Sequence, residues 1–158
     1  MSVSILSIPH TASTFVADQI FKTFRRAWNA HEFGANTVFA EHIDSPHLEK
    51  IAGAIGDSVI VIPMRHPSAV TTSWQRRGYD LAALDKLWGR LRKYESALFL
   101  PVDAIDRDQR LNTISNVVGQ PLSTDWKPYN VNFGGGIEIA HSVYARWIVE
   151  RFYGAGTL

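Results

Sequence analysis

The sequence predicts one α/β domain, a mainly parallel sheet of about four strands with helices on both faces, and three observations carry that prediction. Strand-length apolar runs alternate with segments of helical period along the chain, the signature of parallel strands joined by crossover helices. One run, Ser58-Val59-Ile60-Val61-Ile62-Pro63-Met64, is continuously apolar, as strands buried on both faces are. A chain of 158 residues that is 46% hydrophobic and 20% charged also falls in the range of a single well-cored unit, so residues 1–158 are assigned to one domain.

The elements follow in order. Val3-Ser4-Ile5-Leu6-Ser7-Ile8 is the first strand, broken by Pro9. His10-Thr11-Ala12-Ser13-Thr14 then makes a hydroxyl-rich turn into a helix, predicted over Thr14 to His31 because Val16, Ile20, Phe24 and Trp28 recur at about one helical turn. Thr37 to His42 reads as a second strand, and Ser45-Pro46 supplies an N-cap and an N1 proline for a helix that stops near Gly56. Ser58 to Met64 is the central strand. A helix runs from Pro67 toward Gly78, and a second restarts at Asp80 with Leu81, Leu84, Leu87, Leu91 and Tyr94 on one stripe. Leu98 to Val102 is the fourth strand, followed by a polar turn at Asp103 to Asp108 and a helix ending at Gly119. Gln120 to Gly136 shows no period and is predicted to be a long loop; a last helix covers Ile137 to Tyr153.

Composition narrows the function classes. Sixteen Lys and Arg against fifteen Asp and Glu give a formal charge of +1, which does not describe a protein that coats a duplex or a polybasic membrane binder. Arg25-Arg26, Arg76-Arg77 and Arg90-Leu91-Arg92-Lys93 read as solvated helix faces and argue against a nucleic-acid partner. With no cysteine there is no disulfide, thiolate nucleophile or thiolate metal site. No apolar run is long enough to span a bilayer, so the expectation is a cytoplasmic protein without a membrane partner. Oligomerisation is left open.

The chemistry concentrates in the first strand-to-turn junction. Backbone N–H groups at such a turn are unpaired and the helix dipole adds partial positive charge, which favours a phosphate or sulfate. The same pattern also reads as a plain N-cap.

Two stretches give the anion reading its content. Pro9-His10-Thr11-Ala12-Ser13-Thr14-Phe15 resembles the 5′-phosphosulfate loop of the sulfotransferases that use 3′-phosphoadenosine 5′-phosphosulfate (PAPS). Met64-Arg65-His66-Pro67 through Ser73-Trp74 resembles their 3′-phosphate motif, with Arg65 and Ser73 at the family spacing. Val102-Asp103-Ala104-Ile105 is similar to a third, weaker motif. The resemblance spans Val3 to Gly119 in the family's order. It implies a P-loop-type three-layer α/β/α fold, PAPS as donor, 3′-phosphoadenosine 5′-phosphate (PAP) as product, no metal, and a small-molecule or carbohydrate acceptor.

The resemblance also implies roles. Thr11, Ala12, Ser13 and Thr14 would surround the 5′-phosphosulfate, His10 would be the cation at the leaving group, and Phe15 would face the adenine. Arg65 offers a planar fork to the 3′-phosphate with Ser73 beside it. Arg65 equally reads as one half of an ion pair with Asp57 or Asp103. His42 or Glu41, at the end of the second strand, would be the general base; period-2 alternation lets only one of them face the site. Glu41, His42, Asp44 and His47 together also suggest metal ligands, but Pro46 and the turn separate them.

The departures are specific. His10 stands where the family has Lys or Arg, and Ala12 replaces a Gly that reaches positive φ easily. No Arg-Lys-Gly motif follows; Phe133-Gly134-Gly135-Gly136 stands in that part of the chain. Two other readings remain: a non-catalytic nucleotide-binding module of the same fold, and a divergent P-loop nucleotide kinase, although Gly-x-x-x-x-Gly-Lys-Ser/Thr is absent.

Overall fold

The computed structural model describes residues 1–127, 142–154 and 156–158. Five parallel strands form one sheet in the order β2-β3-β1-β4-β5: β1 (Val3–Ser7), β2 (Arg25–Arg26), β3 (Thr37–His42), β4 (Val59–Met64) and β5 (Leu98–Pro101). The helices are α1 (Ser13–Phe15), which passes into a π-helical turn (Val16–Ile20), then α2 (His47–Lys50), α3 (Ala52–Gly56), α4 (Pro67–Arg76), α5 (Leu81–Leu91), α6 (Arg107–Val118) and α7 (Val143–Phe152). A short 3₁₀ turn covers Ala30–Glu32.

Period-2 alternation divides the core. Val3, Ile5, Val38, Val61 and Leu100 pack with Val16, Ile20, Phe21, Phe24, Leu111 and Ile114, so α1, its π-helical turn and α6 cover one face. Leu6, Ile8, Phe39, Ile62 and Met64 pack with Trp74, Leu84, Leu87, Trp88, Leu91 and Ile148, so α4, α5 and α7 cover the other. This is the expected three-layer α/β/α arrangement, with one strand more than the four predicted.

That extra strand comes from the helix predicted over Thr14 to His31, which ends eleven residues early, at Ile20. Phe21 N–H reaches Val16 O at 3.0 Å and closes the π turn, and Phe21 and Phe24 turn their rings edge-to-face into the core at 5.3 Å. The backbone then pairs with β3: Arg25 N–H donates to Asn36 O and Ala27 N–H to Val38 O, each at 2.8 Å. Sheet pairing outweighs a four-residue apolar recurrence whose last member, Trp28, is 68% exposed under the Arg26 guanidinium. Arg25-Arg26 is therefore strand, not helix surface.

Other differences are smaller. The helix predicted to stop near Gly56 is broken at Ile51 into α2 and α3. Leu81 opens the α5 stripe but stays exposed, while Leu84, Leu87, Trp88 and Leu91 are buried. Gly119 ends α6 at φ 74°, as a C-terminal glycine should. Phe133-Gly134-Gly135-Gly136, most of the predicted long loop and the start of the predicted last helix lie outside the described residues.

Two features fix where a ligand can enter. Helix α1 leaves β1 on one face and α4 leaves β4 on the other, so the order reverses between β1 and β4, the usual place for a crevice in an open parallel sheet. The ladder is also shorter there. β1 pairs with β3 through Ser7↔His42 but with β4 only through Ile5↔Val61. Val59 N–H donates to Ser2 O at 3.0 Å, so by alternation the odd residues of β4 face β1, and the next rung would need an N–H from Pro63. Proline has none, and the seam stops before the strand ends.

Candidate functional site

Residues 8–12 follow β1 at this crevice. Three consecutive carbonyls are held by side chains: Ile8 O by the Thr11 hydroxyl at 2.7 Å, Pro9 O by Trp74 Nε1 at 3.0 Å and His10 O by Arg65 Nη1 at 3.2 Å. In a trans peptide the N–H points opposite to the preceding carbonyl, so the N–H groups of His10 and Thr11 face the other side of the loop from Trp74 and Arg65. Residues 8–11 form a hydrogen-bonded turn, and among the described residues no acceptor meets the backbone N–H of His10 or Ala12. These are the donors an anion needs.

The turn is sharp. His10 sits at φ 71° and Ala12 at φ 70°, ψ 25°, both left-handed, which costs roughly 1–2 kcal/mol for a residue with a Cβ. Ala12 in place of the family's Gly was expected to reach this conformation less easily; the loop adopts it with three of its carbonyls tied by side chains. Ala12 O then accepts from Val16 N–H at 3.0 Å and starts the helix. Thr11 is 3% exposed and directs its hydroxyl proton inward to Ile8 O. Ser13 is half-buried and Thr14 exposed.

Arg65 follows β4 and lines a void of only about 10 Å³ with Thr11, Ile8 and Met64 and the buried Trp88, Leu91 and Ile148. The arginine and the loop are therefore neighbours, joined through the His10 carbonyl. Asp103 is not simply an ion-pair partner for that arginine. Fully buried after β5, it accepts from His66 N–H at 2.9 and 3.2 Å and from the Tyr153 hydroxyl at 2.5 Å, fixing the turn that carries Arg65. His66 caps α4 through Nδ1, which accepts from Ser68 N–H at 3.1 Å. Burial lowers the His66 pKa below 6.5 against a raising effect of Asp103. Ser73 is half-buried on α4, beside the Trp74 that holds Pro9.

The proton and charge roles separate. His10 was expected to be a cation, but its pKa is pushed below 6.5 by burial first, then by Arg77, His42 and Arg65. Its Nε2 accepts from Arg77 Nε at 3.1 Å. The bond from Arg77 needs an unprotonated Nε2 on the ring. His42 shares register with Ser7 and is close enough to act on His10 electrostatically, whereas Glu41 folds its carboxylate back onto the His42 N–H at 3.1 Å. Of the two base candidates, His42 is the one coupled to the loop.

Phe15 is half-buried and stacks on Trp126, with centroids 5.8 Å apart and planes at 24°. Trp126 in turn lies 4.4 Å from Arg107 and donates from Nε1 to Asp108 at 2.8 Å. The aromatic surface is a pair of rings rather than one. Trp74, Arg77, Tyr79 and Trp126 are the site neighbours sequence reasoning missed, since each reaches the loop or its helix from a distant segment. No helix among the described residues is long and apolar enough to cross a membrane. In comparisons with known proteins, no family model, curated protein or solved structure matches the chain.

Proposed function

We propose that the protein is sulfotransferase-like, transferring a sulfuryl group from PAPS to a hydroxyl or amine of a small-molecule or carbohydrate acceptor. The observation that carries this reading is the pair of backbone N–H groups without acceptors, His10 and Ala12, in a loop at the sheet's switch point that Arg65 and Arg77 both contact. The donor fits this donor-rich, cation-flanked setting: the loop N–H groups would hold its 5′-phosphosulfate, Arg65 and Ser73 its 3′-phosphate, and Phe15 with Trp126 would supply a stacking surface for its base. The bound donor supplies a sulfuryl group and leaves as PAP, with the acceptor oxygen bonding to sulfur as the bond to the bridging phosphate oxygen breaks.

The chain's own part is positioning and charge, as in phosphoryl transfer. His42 accepts the acceptor's proton, and the loop N–H groups and guanidiniums stabilise the negative charge left on the phosphate. Calorimetry with adenosine 3′,5′-bisphosphate and with ATP tests the reading. Preference for the bisphosphate supports it; equal or absent binding of both removes it.

A non-catalytic bisphosphate-binding module is the second reading, favoured by the uncharged His10 at the family's cationic position. Tight bisphosphate binding with no sulfate transfer across a broad acceptor panel would select it. Magnesium-dependent ATP turnover would instead select a P-loop nucleotide kinase.

A further inference from the structure

The neutral ring of His10 leaves the loop without the cation that its sequence position suggests, and the fold brings one from 67 residues away. α4 ends at Arg76, Arg77 follows at φ −91°, and Gly78 at φ 69° turns the chain. That helix end is fixed to the loop at several points. Trp74 holds Pro9 O, and the Tyr79 ring packs 5.5 Å from Trp74 and 5.8 Å from His10. Arg77 itself is exposed, and no carboxylate pairs with it among the described residues. Its bond to His10 uses Nε, so the two Nη groups, the end-on bidentate face of the guanidinium, remain for a ligand.

We propose that Arg77 is the cation of the loop and His10 its positioning residue, the imidazole accepting the Nε proton and aiming the Nη pair at an anionic group held by the loop N–H groups. This deepens the sulfotransferase reading and rests on it for one point only: that the anion is the 5′ end of the donor, where the electron pair of the broken sulfur–oxygen bond remains on the departing phosphate. The cations and polar rings around His10 all come from the elements already named, Arg77, Tyr79 and Trp74 at the end of α4, Arg65 after β4 and His42 at the end of β3. Guanidinium charge does not titrate near neutrality, so the loop keeps a full cation at pH values where an imidazole would lose its own.

Calorimetry with inorganic pyrophosphate, adenosine 3′,5′-bisphosphate and adenosine 3′-monophosphate provides the test. Arg77→Gln is expected to weaken pyrophosphate and bisphosphate about tenfold or more, the scale of a lost charge-assisted contact, and to leave the 3′-monophosphate unchanged. Arg76→Gln, one residue earlier, serves as the charge control and changes none of the three. His10→Lys introduced into Arg77→Gln restores pyrophosphate binding by placing a cation on the loop directly. Pyrophosphate binding by Arg77→Gln at wild-type strength overturns the proposal, as does absence of pyrophosphate binding in the wild type. Equal weakening of the 3′-monophosphate overturns the assignment to the 5′ end. Arg77-dependent pyrophosphate binding with no binding of either adenosine phosphate supports the inference and removes the sulfotransferase reading.

Discussion

Replacing Asp103 and Tyr153 singly and together measures how firmly the Arg65 turn is held. Asp103 is fully buried and serves two donors, the His66 N–H and the Tyr153 hydroxyl. Asp103→Ala takes the carboxylate from both donors, at roughly 1–3 kcal/mol each, so the expected loss is about 4 kcal/mol. Tyr153→Phe keeps the ring, which packs edge-on against His66 at 5.0 Å, and removes one charge-assisted hydrogen bond worth about 1.5–3 kcal/mol. Once Asp103 is alanine, that hydroxyl has lost its carboxylate, and Tyr153→Phe should then cost little. The coupling energy is therefore about 1.5–2 kcal/mol. Urea unfolding followed by fluorescence of the five tryptophans reads all three variants, and unchanged slopes keep the comparison two-state. For a chain of this length, each kcal/mol lowers Tm by about 2–4 °C, which gives a thermal check. Costs that add within about 0.5 kcal/mol would refute the argument, since they would mean that the two side chains stabilise the fold independently.

Other expectations follow from the same structure. His10 and His66 have folded pKa values below 6.5, so the unfolded chain takes up protons first as pH falls; stability is full above about 6.5 and declines below it, and His10→Gln with His66→Gln flattens that decline in pH-dependent urea midpoints. Gly119→Ala introduces a Cβ with open space around it but at φ 74°, so it costs about 1 kcal/mol from backbone strain alone, read as a lower urea midpoint. If the protein transfers sulfate, His42→Ala lowers the single-turnover rate by ~10²–10⁴ while Glu41→Ala leaves it nearly unchanged; the reverse ranking would move the base to Glu41.

Strands β1, β3, β4 and β5 were legible because a strand buried on both faces has few other ways to read, and the alternation of apolar runs with helical stretches forced a parallel sheet. β2 was not. Two arginines carry no strand signal, and their pairing with Thr37 and Val38 depends on where β3 lies. The loop after Pro9 and Arg65 were singled out from their order along the chain, and the structure sets Arg65 on the loop's His10 carbonyl. What order cannot convey is the identity of the groups that close around them. The contacts of Trp74 with Pro9 and of Arg77 with His10 span 65 and 67 residues and exist only once α4 has packed on its face of the sheet. The resemblance likewise gave His10 a cationic role that burial and its arginine neighbours disfavour.

The proline at position 63 has a consequence for anyone altering this protein. Because the opening between the two middle strands originates in a main-chain atom that carries no hydrogen, it does not depend on which side chains border it. Residues around the mouth can be exchanged to suit a differently charged guest while the entrance keeps its location. Converting that one imino acid to an ordinary residue, by contrast, would supply the missing donor and let the seam run one rung further.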